Sequence, residues 1–202
     1  MAQSLSGSAY VYGKITFLFA LTPMKVITTS LPGVLIIEPK VYKDERGFFT
    51  ETFQLERYQQ AGMTLPFVQE NHSRSQRGVL RGLHQQRTRP QGKLVRVSRG
   101  AAFDVAVDLN PDSPTYGQHI GVELNDENHR QLWIPPGYAH GFCVLSEVTD
   151  VQYSCTDVYC PDDEDGVRWD DPDLAIPWPI QQPTLSVKDL ALPTLRERMQ
   201  RL

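Results

Sequence analysis

The chain has 202 residues, 40% of them apolar and 22% charged, with a formal net charge of -4. That is enough sequence for one hydrophobic core burying roughly two thirds of the unfolded surface, which excludes a disordered tail. The mildly acidic balance excludes a global polyanion or membrane-surface binder, so any anion site must be local.

Residues 1–23 contain one apolar run, 15–21, far shorter than the ~20 residues a membrane span needs. Only Lys14 precedes it, too little positive charge for a secretory signal. Met24 opens strand-like sequence, so residues 1–23 read as an upstream extension and 24–202 as a single domain. Cys143, Cys155 and Cys160 match no paired metal motif and cannot close a set of disulfides. They read as free thiols in a reducing compartment, and the expected location is cytoplasmic.

From Met24 onward, short β-branched or aromatic runs are closed by Gly, Pro, Asn or Asp. The runs predict strands over 34–37, 47–53, 93–97, 103–109, 120–124, 131–134, 142–145 and 151–158. Phe103, Val105, Val107 and Leu109 alternate with Ala102, Asp104, Ala106 and Asp108, the period of a strand with one face in an apolar core. No helix-length segment separates these runs, so neighbours pair antiparallel. Helical signals are confined to 55–61 and 195–202. The expected class is all-β, a jelly-roll β-sandwich with a few short helices and an interior able to hold a ligand.

Between Asn71 and Phe103 there is no Asp or Glu, yet eight of the twenty basic residues fall there. A solvated face is the ordinary explanation of such a run. Here Arg81, Lys93 and Arg96 sit in or beside strand-like sequence, and forked guanidinium groups suit phosphate oxygens. A diphosphate ligand is expected; nucleic acid is not, because no basic patch is interleaved with spaced aromatics. Arg198, far from this segment, reads as an outlying group.

Two histidines stand out. His140 closes Pro135-Pro136-Gly137-Tyr138-Ala139-His140, which resembles the second half of the signature of the cupins, a jelly-roll superfamily. His84 lies where the first half would begin its metal ligands, but Gln86 replaces the second histidine, and Thr88, Arg89 and Pro90 stand where a glutamate is expected. Arginine in place of a carboxylate disfavours a divalent cation, so neither a metal nor any other cofactor is expected. His84, beside the basic segment, is a candidate proton-transfer group.

Seven strings in order, from Val34-Leu35-Ile36-Ile37-Glu38-Pro39 through Asp44-Glu45-Arg46-Gly47-Phe48-Phe49, Gln69-Glu70-Asn71-His72-Ser73, Arg81-Gly82-Leu83-His84, Gln91-Gly92-Lys93-Leu94-Val95-Arg96 and Phe103-Asp104-Val105-Ala106-Val107-Asp108 to Pro136-Gly137-Tyr138-Ala139-His140-Gly141-Phe142, closely resemble the dTDP-sugar 3,5-epimerases. The resemblance implies epimerisation of dTDP-4-dehydro-6-deoxy-glucose at carbons 3 and 5 to give dTDP-4-dehydro-rhamnose. It casts His84 as general base, Asp189 as its orienting partner, Tyr153 as general acid and Lys93 as the group facing the keto oxygen. It assigns substrate binding to Arg46, Phe49, Glu51, Gln69, Asn71, Arg81, His140 and Lys188, and it implies a homodimer.

The residue types suit the chemistry. A ketone at carbon 4 acidifies the protons on carbons 3 and 5, since either carbanion delocalises onto oxygen as an enolate. A preorganised ammonium lowers the cost of that charge, by about 3 kcal/mol if it matches a single oxyanion donor. Inversion returns the proton from the opposite face, which requires a second group. By itself, Tyr153 would be read as a core aromatic and Asp189 as a cap or turn residue. The competing functions are a related mono-epimerase or ketoisomerase at the same dTDP site, and a cupin binding module or metal-dependent dioxygenase.

Overall fold

The computed structural model describes residues 24–201, and the expected extension over 1–23 lies outside the described residues. Thirteen strands form: β1 Lys25–Thr28, β2 Leu35–Glu38, β3 Val41–Asp44, β4 Gly47–Thr50, β5 Gln69–Gln76, β6 Leu80–Gln86, β7 Lys93–Arg99, β8 Ala101–Asp108, β9 His119–Asn125, β10 Gln131–Ile134, β11 Tyr138–Val144, β12 Val148–Cys155 and β13 Glu164–Gly166. Three short helices accompany them, α1 Leu55–Gln60, α2 Val187–Leu190 and α3 Leu195–Met199. One sheet runs β1-β2-β10-β7-β12-β5, the other β13-β6-β11-β8-β9, and β3 with β4 makes a separate hairpin. The strand pairs are antiparallel, and from β6 to β12 the chain passes repeatedly between sheets, the jelly-roll path.

The inward faces explain where the site sits. Alternation puts Lys93, Val95 and Val97 of β7 on one side, as it does Tyr153 and Val151 of β12, and His140, Phe142 and Val144 of β11. Val95, Val97, Phe142, Val144 and Val151 join Leu124, Leu132 and Ile134 in the core between the sheets. Each fully buried aliphatic side chain contributes about 1.5–3 kcal/mol relative to exposure. Toward one end of the same strands the inward residue becomes Lys93, Tyr153 or His140. The sandwich is thus apolar at one end and chemically equipped at the other.

Both sheets are also covered outside. Helix α1 brings Tyr58 onto Leu35, Ile37, Leu94 and Trp133, with Met63 just beyond it. Gln54 caps that helix, its side chain accepting from Arg57 N at 2.7 Å. The C-terminal segment lays Val167, Leu174 and Leu195 over Leu83, Val105, Val107 and Leu109.

That cover corrects the expectation for β8. Its valines face the C-terminal segment, while Ala102, Asp104 and Ala106 face the sandwich interior, so both faces are buried. The sequence pattern also misses β5 and β6, because QENHSRSQ and LRGLHQQ turn mostly polar side chains toward the cleft. Strand β1 forms where Met24 opens strand-like sequence, whereas β3, β13 and helix α2 are too short to leave a periodic signal. Among the described residues no helix is long and apolar enough to cross a membrane.

Candidate active site

The cleft opens at the equipped end as two adjoining lobes of about 280 and 290 Å3 that share His84, Lys93, Tyr153 and Glu164. Five elements meet there. Strand β6 carries Arg81 and His84, β11 carries His140, β7 and β12 carry Lys93 and Tyr153, and α2 brings Lys188 and Asp189 across the open edge.

Two glycines permit the close approach of β6 and β11. A Cβ on Gly82 would lie 2.6 Å from Gly141 Cα, and one on Gly141 would lie 2.6 Å from the Arg81 carbonyl oxygen. Gly82 also has a φ of +113°, a conformation that glycine alone adopts cheaply. His140 therefore stands directly opposite His84 in the ladder.

His84 Nε2 lies 2.7 Å from Asp189 Oδ1, at ion-pair distance though off the axis of a linear hydrogen bond. Glu164 Oε1 approaches the same nitrogen at 3.9 Å. Asp189 is 3% exposed. It is the N3 residue of a capping box, since its Oδ2 accepts from Ser186 N at 3.3 Å while its own backbone N donates to Ser186 Oγ at 3.1 Å, and Ser186 Oγ also donates to Oδ2 at 2.6 Å. Gly82 N donates to Oδ1 at 3.3 Å. Burial opposes ionisation of this carboxyl, but His84, Ser186 and Gly82 outweigh it and hold the group down at about 2. Capping α2 and contacting His84 are thus one arrangement: the cap aims the carboxylate.

Lys93 is only 7% exposed, and its Nζ donates to the His84 carbonyl at 3.2 Å. Burial pushes its ammonium below the ordinary lysine range, against the opposing pull of Cys155, Asp104 and Glu164. Burial likewise pushes the Tyr153 phenol up, so its hydroxyl keeps its proton at neutral pH. The Tyr153 ring stands edge-on to His140 at 6.1 Å, and His140 Nε2 is 2.8 Å from Asp104 Oδ1.

At the rim, Lys188 pairs with Glu164, and Tyr159 OH donates to Glu164 Oε2 at 2.6 Å. Burial opposes ionisation of Glu164, but Lys188, Tyr159 and His84 hold it below the usual glutamate range. Arg81 lines the second lobe with Ser73, its Nε donating to Ser75 Oγ at 3.1 Å, and among the described residues it has no carboxylate partner. Gln69 and Asn71 line the first lobe and bond each other at 3.0 Å.

Three expected binding residues are not brought into this cleft. Arg46 pairs with Asp44 and Phe49 is 70% exposed, both on the β3–β4 hairpin, while Glu51 pairs with Arg57 at 2.5 Å. Glu164, Tyr159 and Ser73 line the cleft and were not singled out in sequence. Glu164 sits in the acidic run Asp162-Asp163-Glu164-Asp165, whose composition says only that it is solvated. Gln86 is fully engaged with main chain, donating to Arg89 O at 2.8 Å and accepting from Cys160 N at 2.7 Å. Among the described residues no group of His, Cys, Asp and Glu is arranged to hold a metal ion.

Fold and site together define a cupin-type β-sandwich with an interior cleft furnished for proton transfer and lined with cations. The profile of the dTDP-4-dehydrorhamnose 3,5-epimerases matches residues 28–197. An enzyme of that name from Methanothermobacter thermautotrophicus is 54% identical over 176 residues, covering 86% of this chain and 95% of its own. A crystal structure of dTDP-6-deoxy-D-glucose-3,5-epimerase from Legionella pneumophila, in complex with dTDP-4-keto-L-rhamnose, is 55% identical with a TM-score of 0.83, covering 86% of this chain and 93% of that one. The Bacillus anthracis dTDP-4-dehydrorhamnose 3,5-epimerase, with TDP and PPi bound, is 47% identical with the same TM-score, covering 85% and 99%. The chain belongs to the dTDP-4-dehydrorhamnose 3,5-epimerase family.

Proposed function

We propose that the protein inverts carbons 3 and 5 of dTDP-4-dehydro-6-deoxy-D-glucose, giving dTDP-4-dehydro-L-rhamnose. The observation that carries this reading is the grouping of His84, Lys93 and Tyr153 around one cleft with Asp189 behind the histidine. His84 takes the proton from carbon 5 or carbon 3, and the Asp189 carboxylate stabilises the imidazolium that results. The electron pair moves onto the keto oxygen, where Lys93 faces the developing charge in a water-poor setting. Tyr153 returns a proton from the other side of the ring, and solvent water then takes the extra proton from His84 and supplies one to the tyrosinate, which resets both groups before the second inversion. Each step is proton transfer alone, so no electron acceptor enters. Arg81 and Lys188 hold the diphosphate, Gln69 and Asn71 line its approach, and His140 packs against the sugar.

The protein acts as a homodimer in this reading. Arg46, Phe49 and Glu51 lie outside their own cleft, and Phe48 and Phe49 expose 59% and 70% of their surface on a hairpin that is hydrogen-bonded to neither large sheet. A two-fold partner places that hairpin over the neighbouring cleft and buries both rings.

Proton NMR of the substrate in deuterated water, with and without chelator, tests the reaction. Deuterium should enter at carbons 3 and 5 and the product should appear in both samples. Exchange at a single carbon would leave a mono-epimerase, and loss of activity with chelator would replace this mechanism with a metal-dependent one.

A further inference from the structure

The C-terminal helix reaches the cleft through an ion pair that the reaction above leaves unused. Strand β13 is three residues long, and its register against β6 sets Glu164 opposite Gln86, Asp165 opposite Gln85 and Gly166 opposite His84. Side chains alternate along it, so Glu164 enters the cleft while Asp165 turns to the other face. There Asp165 Oδ2 accepts from Gln85 Nε2 at 3.1 Å and from Arg198 Nε at 2.8 Å. Arg198 is only 3% exposed, and its Nη1 donates to the Leu109 carbonyl at 3.3 Å. Arg198 lines neither lobe of the cleft, in keeping with its reading in sequence as an outlying group, yet it is buried: one guanidinium ties α3 to the end of β8 and to β13.

Backbone pairing continues past both ends of this short strand, Arg87 N donating to Asp163 O at 3.0 Å and Val167 N to Leu83 O at 3.1 Å, and a slip of one residue would exchange its faces. Such a slip would withdraw Glu164 from the cleft and send Asp165 in. Besides these bonds and the Asp163 carboxylate, which accepts from Thr88 N and Arg89 N, two side-chain features oppose it. A Cβ at position 166 would lie 2.1 Å from the Leu83 carbonyl oxygen, so only glycine fits opposite His84. The second is the Arg198–Asp165 pair, which would have to break and leave a buried guanidinium unpaired.

We propose that Arg198 is a positioning residue for the cleft: by holding Asp165 on the outer face it locks β13 in the register that presents Glu164 to the ligand. Docking of α3 and ligand binding are thereby coupled. The proposal rests on the cleft being the substrate site, and its first readout is independent of that reading.

The test uses the full chain and the variants Arg198→Gln, Arg198→Lys, Glu164→Gln and the double variant Glu164→Gln with Arg198→Gln. Hydrogen exchange, read without any ligand, should quicken about tenfold or more at the amides of 164–167 in Arg198→Gln while those of β7 and β11 stay protected. Kinetics with dTDP-4-dehydro-6-deoxy-glucose, well below each variant's melting temperature, should show KM raised about tenfold in Arg198→Gln and partly restored in Arg198→Lys. Because Arg198 acts through Glu164, adding Arg198→Gln to Glu164→Gln should raise KM no further. Unchanged exchange at 164–167, or effects of the two substitutions that multiply, would overturn the proposal, as would a lowered melting temperature with KM unaltered. A parent that exchanges normally yet fails to turn over the substrate would refute the function and leave the exchange result to decide Arg198.

Discussion

His84 Nε2 and Asp189 Oδ1 stand 2.7 Å apart, joining a strand of the second sheet to a helix near the C-terminus. The capping box of α2 holds the carboxylate still, so the imidazole has a fixed partner before any ligand arrives. His84→Ala should therefore abolish deuterium exchange at both sugar carbons, since no enolate forms without the base. Asp189→Asn keeps the shape and removes the charge, and should lower kcat more than it raises KM. Retained exchange in His84→Ala, followed by NMR, would remove His84 from the base role.

Tyr153→Phe should behave differently. The ring and its packing against His140 remain, and only the hydroxyl goes, at about 1 kcal/mol of stability if its hydrogen bond is lost. Enolate formation and exchange should survive in part while inversion is strongly impaired, with an unchanged circular dichroism spectrum. Parental inversion rates in this variant would mean that another group returns the proton.

Arg81→Ala should weaken dTDP binding about 10- to 100-fold, the loss of one charge-assisted contact of about 1.5–3 kcal/mol. Arg77→Ala is the control, because that guanidinium pairs with the exposed Glu147 on the surface. Calorimetry at two salt concentrations should show both the affinity and its salt dependence fall only for Arg81. Equal affinities would place the diphosphate elsewhere.

Acid stability follows from Asp189. Its carboxyl is held at about 2 in the folded protein against 3.8 ordinarily, so its contribution is complete above about pH 4 and is lost as pH falls toward 2. The amount is about 2 kcal/mol. Melting temperatures of the parent and Asp189→Asn should differ most at neutral pH and converge between pH 4 and 2. A gap that stays constant over that range would show that the carboxylate's charge stabilises nothing.

The proposed dimer makes a complementation experiment decisive. His84→Ala and Arg46→Ala should each be impaired alone. Unfolded together and refolded, they should regain activity, because each hybrid contains one cleft with an intact histidine beneath an intact hairpin. No gain on mixing, with both variants dimeric by sedimentation, would return Arg46 to its own subunit.

The two sheets were legible in sequence because β-branched runs and turn residues are local signals, and the strands over 93–97, 103–109, 120–124, 131–134, 142–145 and 151–158 each find a counterpart within a few residues. His84 and Lys93 were legible as chemistry because they stand in or beside a segment of eight basic residues with no carboxylate, whereas Tyr153 and Asp189 were assigned by the resemblance alone, since a lone strand tyrosine reads as a core aromatic and a lone aspartate as a cap or turn residue. Sequence could not say which face of β8 turns inward, since both faces are buried and only the C-terminal cover distinguishes them. Nor could it give Glu164 a place, because the register of a three-residue strand comes from contacts with β6 and with Arg198, far along the chain. The same holds for Arg46, Phe49 and Glu51, whose exposure is decided by where the β3–β4 hairpin leaves the sandwich. Local alternation is written in the chain itself, whereas the partner across a cleft is chosen by packing between segments distant in sequence.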